Sequence, residues 1–152
     1  MKFETHSHRH GEIVLNEPEF KAEWEEIKKA LESISDEDII NQFPKSSNVM
    51  SISSAINDLI LERLTGTGWE KEVAIFSTPE FTGTDSKRWR LDFAKKDISI
   101  EVAFNHGEAI AWNLIKPVIA SELNHVKKAI QTKVGVVIFA TDAMKKAGAF
   151  DS

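Results

Sequence analysis

The 152-residue chain contains no cysteine. That excludes a disulfide framework and any metal site built on thiolates, and it suits a reducing cytoplasm. Long hydrophobic runs are missing too: no stretch reaches the roughly 20 apolar residues that a membrane-crossing helix needs. The start, Met1-Lys2-Phe3-Glu4-Thr5-His6, has no apolar region behind a basic segment, as a secretory signal would. Basic charge is in short supply, with 19 Lys and Arg against 24 Asp and Glu and a formal net charge of -5. Such a balance provides no general basic stripe for a polyanionic partner. It leaves room for a few basic and polar groups in one cleft, where local field outweighs net charge. No internal repeat or low-complexity tract is visible.

What is present is ordinary for a globular protein: 41% hydrophobic and 28% charged residues. The length fits a single domain over 1–152 that buries a core without covalent staples. Residues 3–15 read as an irregular strand or turn ending in Ile13-Val14-Leu15. Pro18 suits a helix start. Phe20, Trp24, Ile27, Ala30, Leu31 and Ile34 then recur at helical spacing opposite a charged face. Ser35-Asp36-Glu37-Asp38 caps a shorter helix through Phe43, and Pro44 to Asn48 is a loop. A third helix covers 53–64, burying Ile56, Leu59, Ile60 and Leu64. Strands are predicted at 72–76, 89–94 and 98–104, with a loop at 78–86. A long helix from about 108 to 131 contains Pro117, which should kink or divide it. The continuous apolar run 134–140 reads as a central strand covered on both faces, followed by a short helix at 142–147. This order predicts an α/β fold with a mixed β-sheet flanked by helices.

Two groups of residues have metal-ligand chemistry. His6, His8 and His10 alternate, which on an extended strand puts them on one face. A zinc site is one reading and a solvated polar segment the other. The second is favoured because no further ligand is placed beside them. The other group lies in Leu91-Asp92-Phe93 and Ile100-Glu101-Val102, two strand segments joined by the charged turn at Lys95-Lys96-Asp97. Each strand carries one carboxylate among apolar neighbours. On periodicity alone, Asp92 and Glu101 alternate onto a solvated sheet face. As a pair near matching ends of a hairpin, they repel one another unless a cation lies between them. Mg²⁺ suits such a site, because it is held by one or two carboxylates together with water and substrate phosphate.

Leu91-Asp92-Phe93 with Ile100-Glu101-Val102-x-Phe104 resembles the metal-binding hairpin of the BglII/BstYI-type restriction endonucleases of the PD-(D/E)XK nuclease superfamily. Gly68-Trp69 after a helix containing Ala55-Ile56-Asn57 is similar to that family's approach to the core. His8-Arg9-His10-Gly11-Glu12-Ile13 with Trp24-Glu25-Glu26-Ile27, and Ser121-Glu122-Leu123-Asn124-His125, resemble its first elements and its helix after the active site. The resemblance implies a PD-(D/E)XK core and Mg²⁺ held by Asp92, Glu101 and the backbone carbonyl of Val102. It implies an auxiliary role for Glu72, whose alternative is a surface strand glutamate. Asn105 and His106 would contact bases, or else form a polar linker capping the next helix. Lys95 and Lys96 would contact DNA. The implied activity is a type II endonuclease cutting double-stranded DNA at a palindrome built around GATC, as a homodimer.

Two departures from the family pattern stand out. The third catalytic position, usually Gln, Glu or Lys, is Ala103. Lys95 and Lys96 lie out on the turn, and Glu108 reaches back only if the next helix starts over the hairpin. Either a relocated group completes the site, or the fold binds DNA without cutting it. A third alternative is an interaction domain unconnected with DNA. The chain also stops soon after the strand at 134–140, where family members continue into a further helix and strand. It is then either a compact member or a domain shortened at its C-terminus.

Overall fold

The computed structural model describes residues 1–43, 51–78, 86–104, 107–122 and 126–148. They divide into two compact units, one of Met1–Gly68 with the segment from Ala140 onward, the other Trp69–Phe139.

The first unit is helical. Its helices are α1 (Gly11–Leu15), α2 (Lys21–Glu32), α3 (Asp36–Gln42), α4 (Ser53–Thr65) and α6 (Asp142–Gly148). The apolar positions read from helical spacing are the ones buried: Phe20, Trp24, Ile27, Ala30, Leu31 and Ile34 around α2, and Ile56, Leu59, Ile60 and Leu64 on α4. Helix α3 begins as expected. The Ser35 hydroxyl accepts from the Asp38 backbone N–H at 3.1 Å, and the Asp38 carboxylate accepts from the Ser35 N–H at 2.9 Å. Two end groups that the helix itself cannot bond are thereby satisfied. Of the two readings of the first segment, strand or turn, the structure takes the turn at residues 8–10, which leads through left-handed Arg9 and His10 into the single helical turn α1. Pro18 lies in the turn before α2, whose first residue is Lys21.

The second unit is a four-stranded mixed sheet in the order β1 (Glu70–Ala74), β2 (Arg90–Lys95), β3 (Ile98–Ala103), β4 (Val134–Phe139). A short 3-10 helix, Ser86–Trp89, leads into β2. The first three strands are antiparallel, and β3 and β4 are parallel. A parallel neighbour requires a crossover, which here runs through α5 (Gly107–Glu122). The mixed α/β architecture is the one expected.

Two details differ from the sequence-based expectation. Helix α5 contains Pro117 but ends at Glu122 rather than near 131. Residues 127–129 pair instead with the residues after β1: Ala129 donates to Ile75 at 2.8 Å and Ser77 to Lys127 at 3.2 Å. Lys128 Nζ bonds the Ala120 carbonyl at 2.9 Å, and the Gln131 amide bonds that of Ser121. The last carbonyls of α5 thus gain partners from the residues that failed to continue it. Val126 and Ile130 still reach the apolar core, beside Ile75, Leu91 and Ala94. Strand β4 is also not central. Among the described residues it forms a sheet edge, only partly covered, with Phe139 44% exposed. The apolar run recorded the covering of one face by α5 and not two flanking strands.

Helix α5 sits close against β4. A Cβ on Gly135 would lie 2.5 Å from the Pro117 Cβ, closer than packed carbons approach. Glycine is required there to seat the proline ring. Gly135→Ala is therefore expected to destabilise the fold by about 1–3 kcal/mol, through overpacking, in urea-denaturation measurements. Ser35→Ala should cost about 1 kcal/mol by the same measurement, through loss of the α3 cap.

Candidate metal centre on the β2–β3 hairpin

The hairpin is set by a two-residue turn, Lys96-Asp97, with Lys96 in the left-handed region (φ 50°). Pairing then runs Lys95↔Ile98, Ala94↔Ser99 and Phe93↔Ile100. Continued by one residue, this register sets Asp92 opposite Glu101. Directly opposed residues on an antiparallel pair share one sheet face. At this point side chains replace part of the backbone ladder. Asp92 Oδ2 accepts from the Val102 N–H at 2.8 Å, and Glu101 Oε1 faces the Asp92 N–H at 3.4 Å. Each carboxylate is fixed by the backbone of the other strand.

The environments of the two differ. Asp92 is half-buried, whereas Glu101 is 0% exposed, so the solvated-face reading fails for Glu101. The reason is α5, which covers this face of β3. Burial, reinforced by repulsion from Asp92, pushes the Glu101 carboxyl up to about 8, against an offset from Lys116. Glu101 Oε2 makes an ion pair with Lys116 Nζ but has no well-aligned hydrogen bond. Lys116 is itself nearly buried and also donates to the Arg90 carbonyl at 3.0 Å.

The structure treats the other expected site residues unequally. Val102 is half-buried on β3, its N–H engaged by Asp92. Glu72 is exposed on β1 with a left-handed backbone (φ 52°), and the β1–β2 pairing skips it. Its backbone carbonyl, rather than its carboxylate, is held, by Arg90 at 2.9 Å. Lys95 and Lys96 lie at the turn end of the hairpin, away from the carboxylates. Asn105, His106 and the side chain of Glu108 lie outside the described residues. His6, His8 and His10 are exposed ahead of α1. Among the described residues no group of three or more His, Asp or Glu side chains could enclose a metal ion. A cation at this site would rest on two carboxylates and complete its shell with water and phosphate oxygens, which suits Mg²⁺ better than zinc. The donor set that fits such a cation is the pair of carboxylates itself, with Glu101 Oε2 already in contact with the Lys116 ammonium.

Lys116 is the site residue that sequence reasoning missed. The signal was available: it is the only charged residue between Glu108 and Glu122, in a helix otherwise built of Ala, Ile, Leu, Val, Trp and a few neutral polar residues. A lone charge in an apolar helix requires a buried partner.

The raised Glu101 value has a measurable consequence. In the folded state the carboxyl keeps a proton that the unfolded chain releases above its ordinary value of 4.5. Its contribution to stability is full below that value and is lost as pH rises through about 8. Urea unfolding from about pH 5 to about pH 8 should show wild-type stability falling relative to Glu101→Gln. Parallel profiles would contradict the assignment.

Comparison with known proteins bears on the family and the fold. The family model described as restriction endonuclease BglII/BglIII matches residues 3–152. No curated protein matches the chain. Among solved structures, the crystal structure of restriction endonuclease BglII complexed with a DNA 16-mer superposes with a TM-score of 0.57 at 21% identity. The match covers 86% of this chain and 55% of that one, so this chain spans about half the length of the BglII structure. The fold is that of the BglII enzyme, and the chain belongs to the BglII/BglIII restriction endonuclease family.

Proposed function

We propose that this chain is a cytoplasmic, Mg²⁺-dependent type II restriction endonuclease that cuts double-stranded DNA at a short palindromic site as a homodimer. The observation that carries the reading is Asp92 beside fully buried Glu101, each carboxylate bonded to the backbone of the other's strand. Asp92, Glu101 and the Val102 carbonyl would hold the cation. When bound, the ion supplies acidity to a water and positive charge to the scissile phosphate.

The protein's own part is orientation. Asp92 is pinned by the Val102 N–H and Glu101 by the covering helix. Two acceptors are thus fixed before substrate arrives, which lowers the entropy cost of assembling the reacting groups. In the reaction the water oxygen bonds to phosphorus and one ester P–O bond breaks. The water's proton passes to solvent, and the leaving oxygen takes one from solvent. No covalent protein intermediate forms.

Substrate contacts are assigned by the resemblance. Asn105 and His106 come after Phe104, just beyond β3 in sequence, and would read base edges, for which an asparagine amide suits adenine. Lys95 and Lys96 would meet phosphates, and Glu72 would act as an auxiliary polar group. Support for a homodimer comes from α5, where Leu114, Ile115 and Val118 form a half-exposed apolar stripe. A two-fold target is matched by a two-fold protein. Ala103 favours a second reading, a nuclease fold that binds DNA without cutting it.

The test is incubation with unmethylated phage DNA, with and without Mg²⁺. Wild type should give discrete fragments only with Mg²⁺, and Asp92→Ala and Glu101→Gln should each cut at least about 100-fold more slowly. Intact DNA that is still retarded in a gel, with affinity falling steeply with salt, would favour the binding-only reading. Intact and unretarded DNA would overturn both.

A further inference from the structure

Ala103 stands two residues beyond Glu101 on β3, so both side chains leave the strand on the same side. It is buried, and its methyl group can neither donate a hydrogen bond nor carry charge. A different element brings a cation to this spot. Lys116 extends from α5 to pair with Glu101 Oε2, while its ammonium also donates to the Arg90 carbonyl on β2. The two contacts hold the nitrogen between the strands that carry Asp92 and Glu101. The neighbouring residue, Pro117, is packed against Gly135, which fixes the helix turn from which Lys116 projects.

An ammonium has three donors and no acceptor. Among the described residues Glu101 and Arg90 account for two of them, which leaves one for an oxygen that approaches Glu101. The lysine stem is flexible and its charge compact, so the group suits a tetrahedral oxyanion that arrives from solvent.

We propose that Lys116 supplies, from helix α5, the cationic group that Ala103 cannot, donating to a non-bridging oxygen of the phosphate held at Asp92 and Glu101. The assignment rests on the nuclease reading above. As the water oxygen bonds to phosphorus and the ester P–O bond breaks, negative charge gathers on the non-bridging oxygens. A fixed donor aimed at that charge lowers the barrier most in a site closed to water. Lys116 donates a hydrogen bond and transfers no proton; the water's proton leaves to solvent and the departing oxygen is protonated from solvent. The missing third position is in this reading relocated from the strand to the helix, and the family hairpin remains competent.

The experiment compares wild type, Lys116→Met, Lys116→Gln and the double variant Lys116→Met/Ala103→Lys. Single-turnover cleavage is followed with Mg²⁺. Binding to the same DNA is followed separately with Ca²⁺, and folding by circular dichroism. Lys116→Met should cut at least about 100-fold more slowly, with DNA affinity within about threefold of wild type. Lys116→Gln, which keeps donors without charge, covers the case in which the methionine variant folds poorly and should also lose at least tenfold. Restoring an ammonium at position 103 should recover at least tenfold of the lost rate, which a purely structural lysine would not permit. An active wild type with an equally active Lys116→Met or Lys116→Gln overturns this proposal alone. A variant that loses DNA binding together with cleavage, and is not rescued at position 103, overturns it in favour of a structural role. An inactive wild type overturns the nuclease reading and this assignment together.

Discussion

The interaction on which the second unit depends is the burial of one carboxyl, that of Glu101, in the middle of a sheet strand. Removing a carboxylate from water is costly unless it is neutralised or paired. Glu101 has both kinds of relief: it holds its proton to an unusually high pH, and it faces the Lys116 ammonium. Asp92 strengthens the first and opposes the second, because a second carboxylate on the same face raises the cost of ionising Glu101. A fold that only sought stability would place an apolar residue at 101, as it does at Ile98 and Ile100. The cost is sensible if a divalent cation is the intended partner.

The surrounding structure makes this placement unambiguous. A tight turn sets the hairpin register, and a slip of one residue would send Glu101 and Asp92 to opposite faces. The bond from Val102 to Asp92 locks the register at the end where the backbone ladder stops. Above the hairpin, Pro117 seats on Gly135 and brings Lys116 over Glu101. The crossover that joins β3 to β4 therefore also delivers the third charged group. Chain topology and site chemistry are the same piece of structure here.

Much of this was legible in the sequence, for physical reasons that can be named. Helical spacing identified the buried faces of α2 and α4 because amphipathic helices bury one stripe. Ser35 and Asp38 announced the start of α3 because capping is a local interaction. The carboxylate pair was visible because hairpin pairing follows from a short turn. What the sequence left open depends on contacts remote along the chain. Periodicity alone allowed a solvated Glu101, because nothing local says that the following helix, through Lys116, will fold back over it. The end of α5 was misread because Val126 and Ile130 keep an apolar spacing that serves an extended segment as well as a helix. The edge position of β4 was misread because an apolar run does not tell which neighbour covers it. Lys116 is marked in the sequence as a lone charge in an apolar helix, but which carboxylate it meets depends on how α5 folds back over β3.

The most direct test is a carbon-detected NMR titration of the Glu101 side-chain carboxyl, with and without saturating Mg²⁺. The account predicts a midpoint near 8 without the ion and a clear downward displacement with it, as the cation replaces the proton. An ordinary midpoint near 4.5 that Mg²⁺ leaves unmoved would contradict the buried, cation-seeking carboxyl at the centre of this structure.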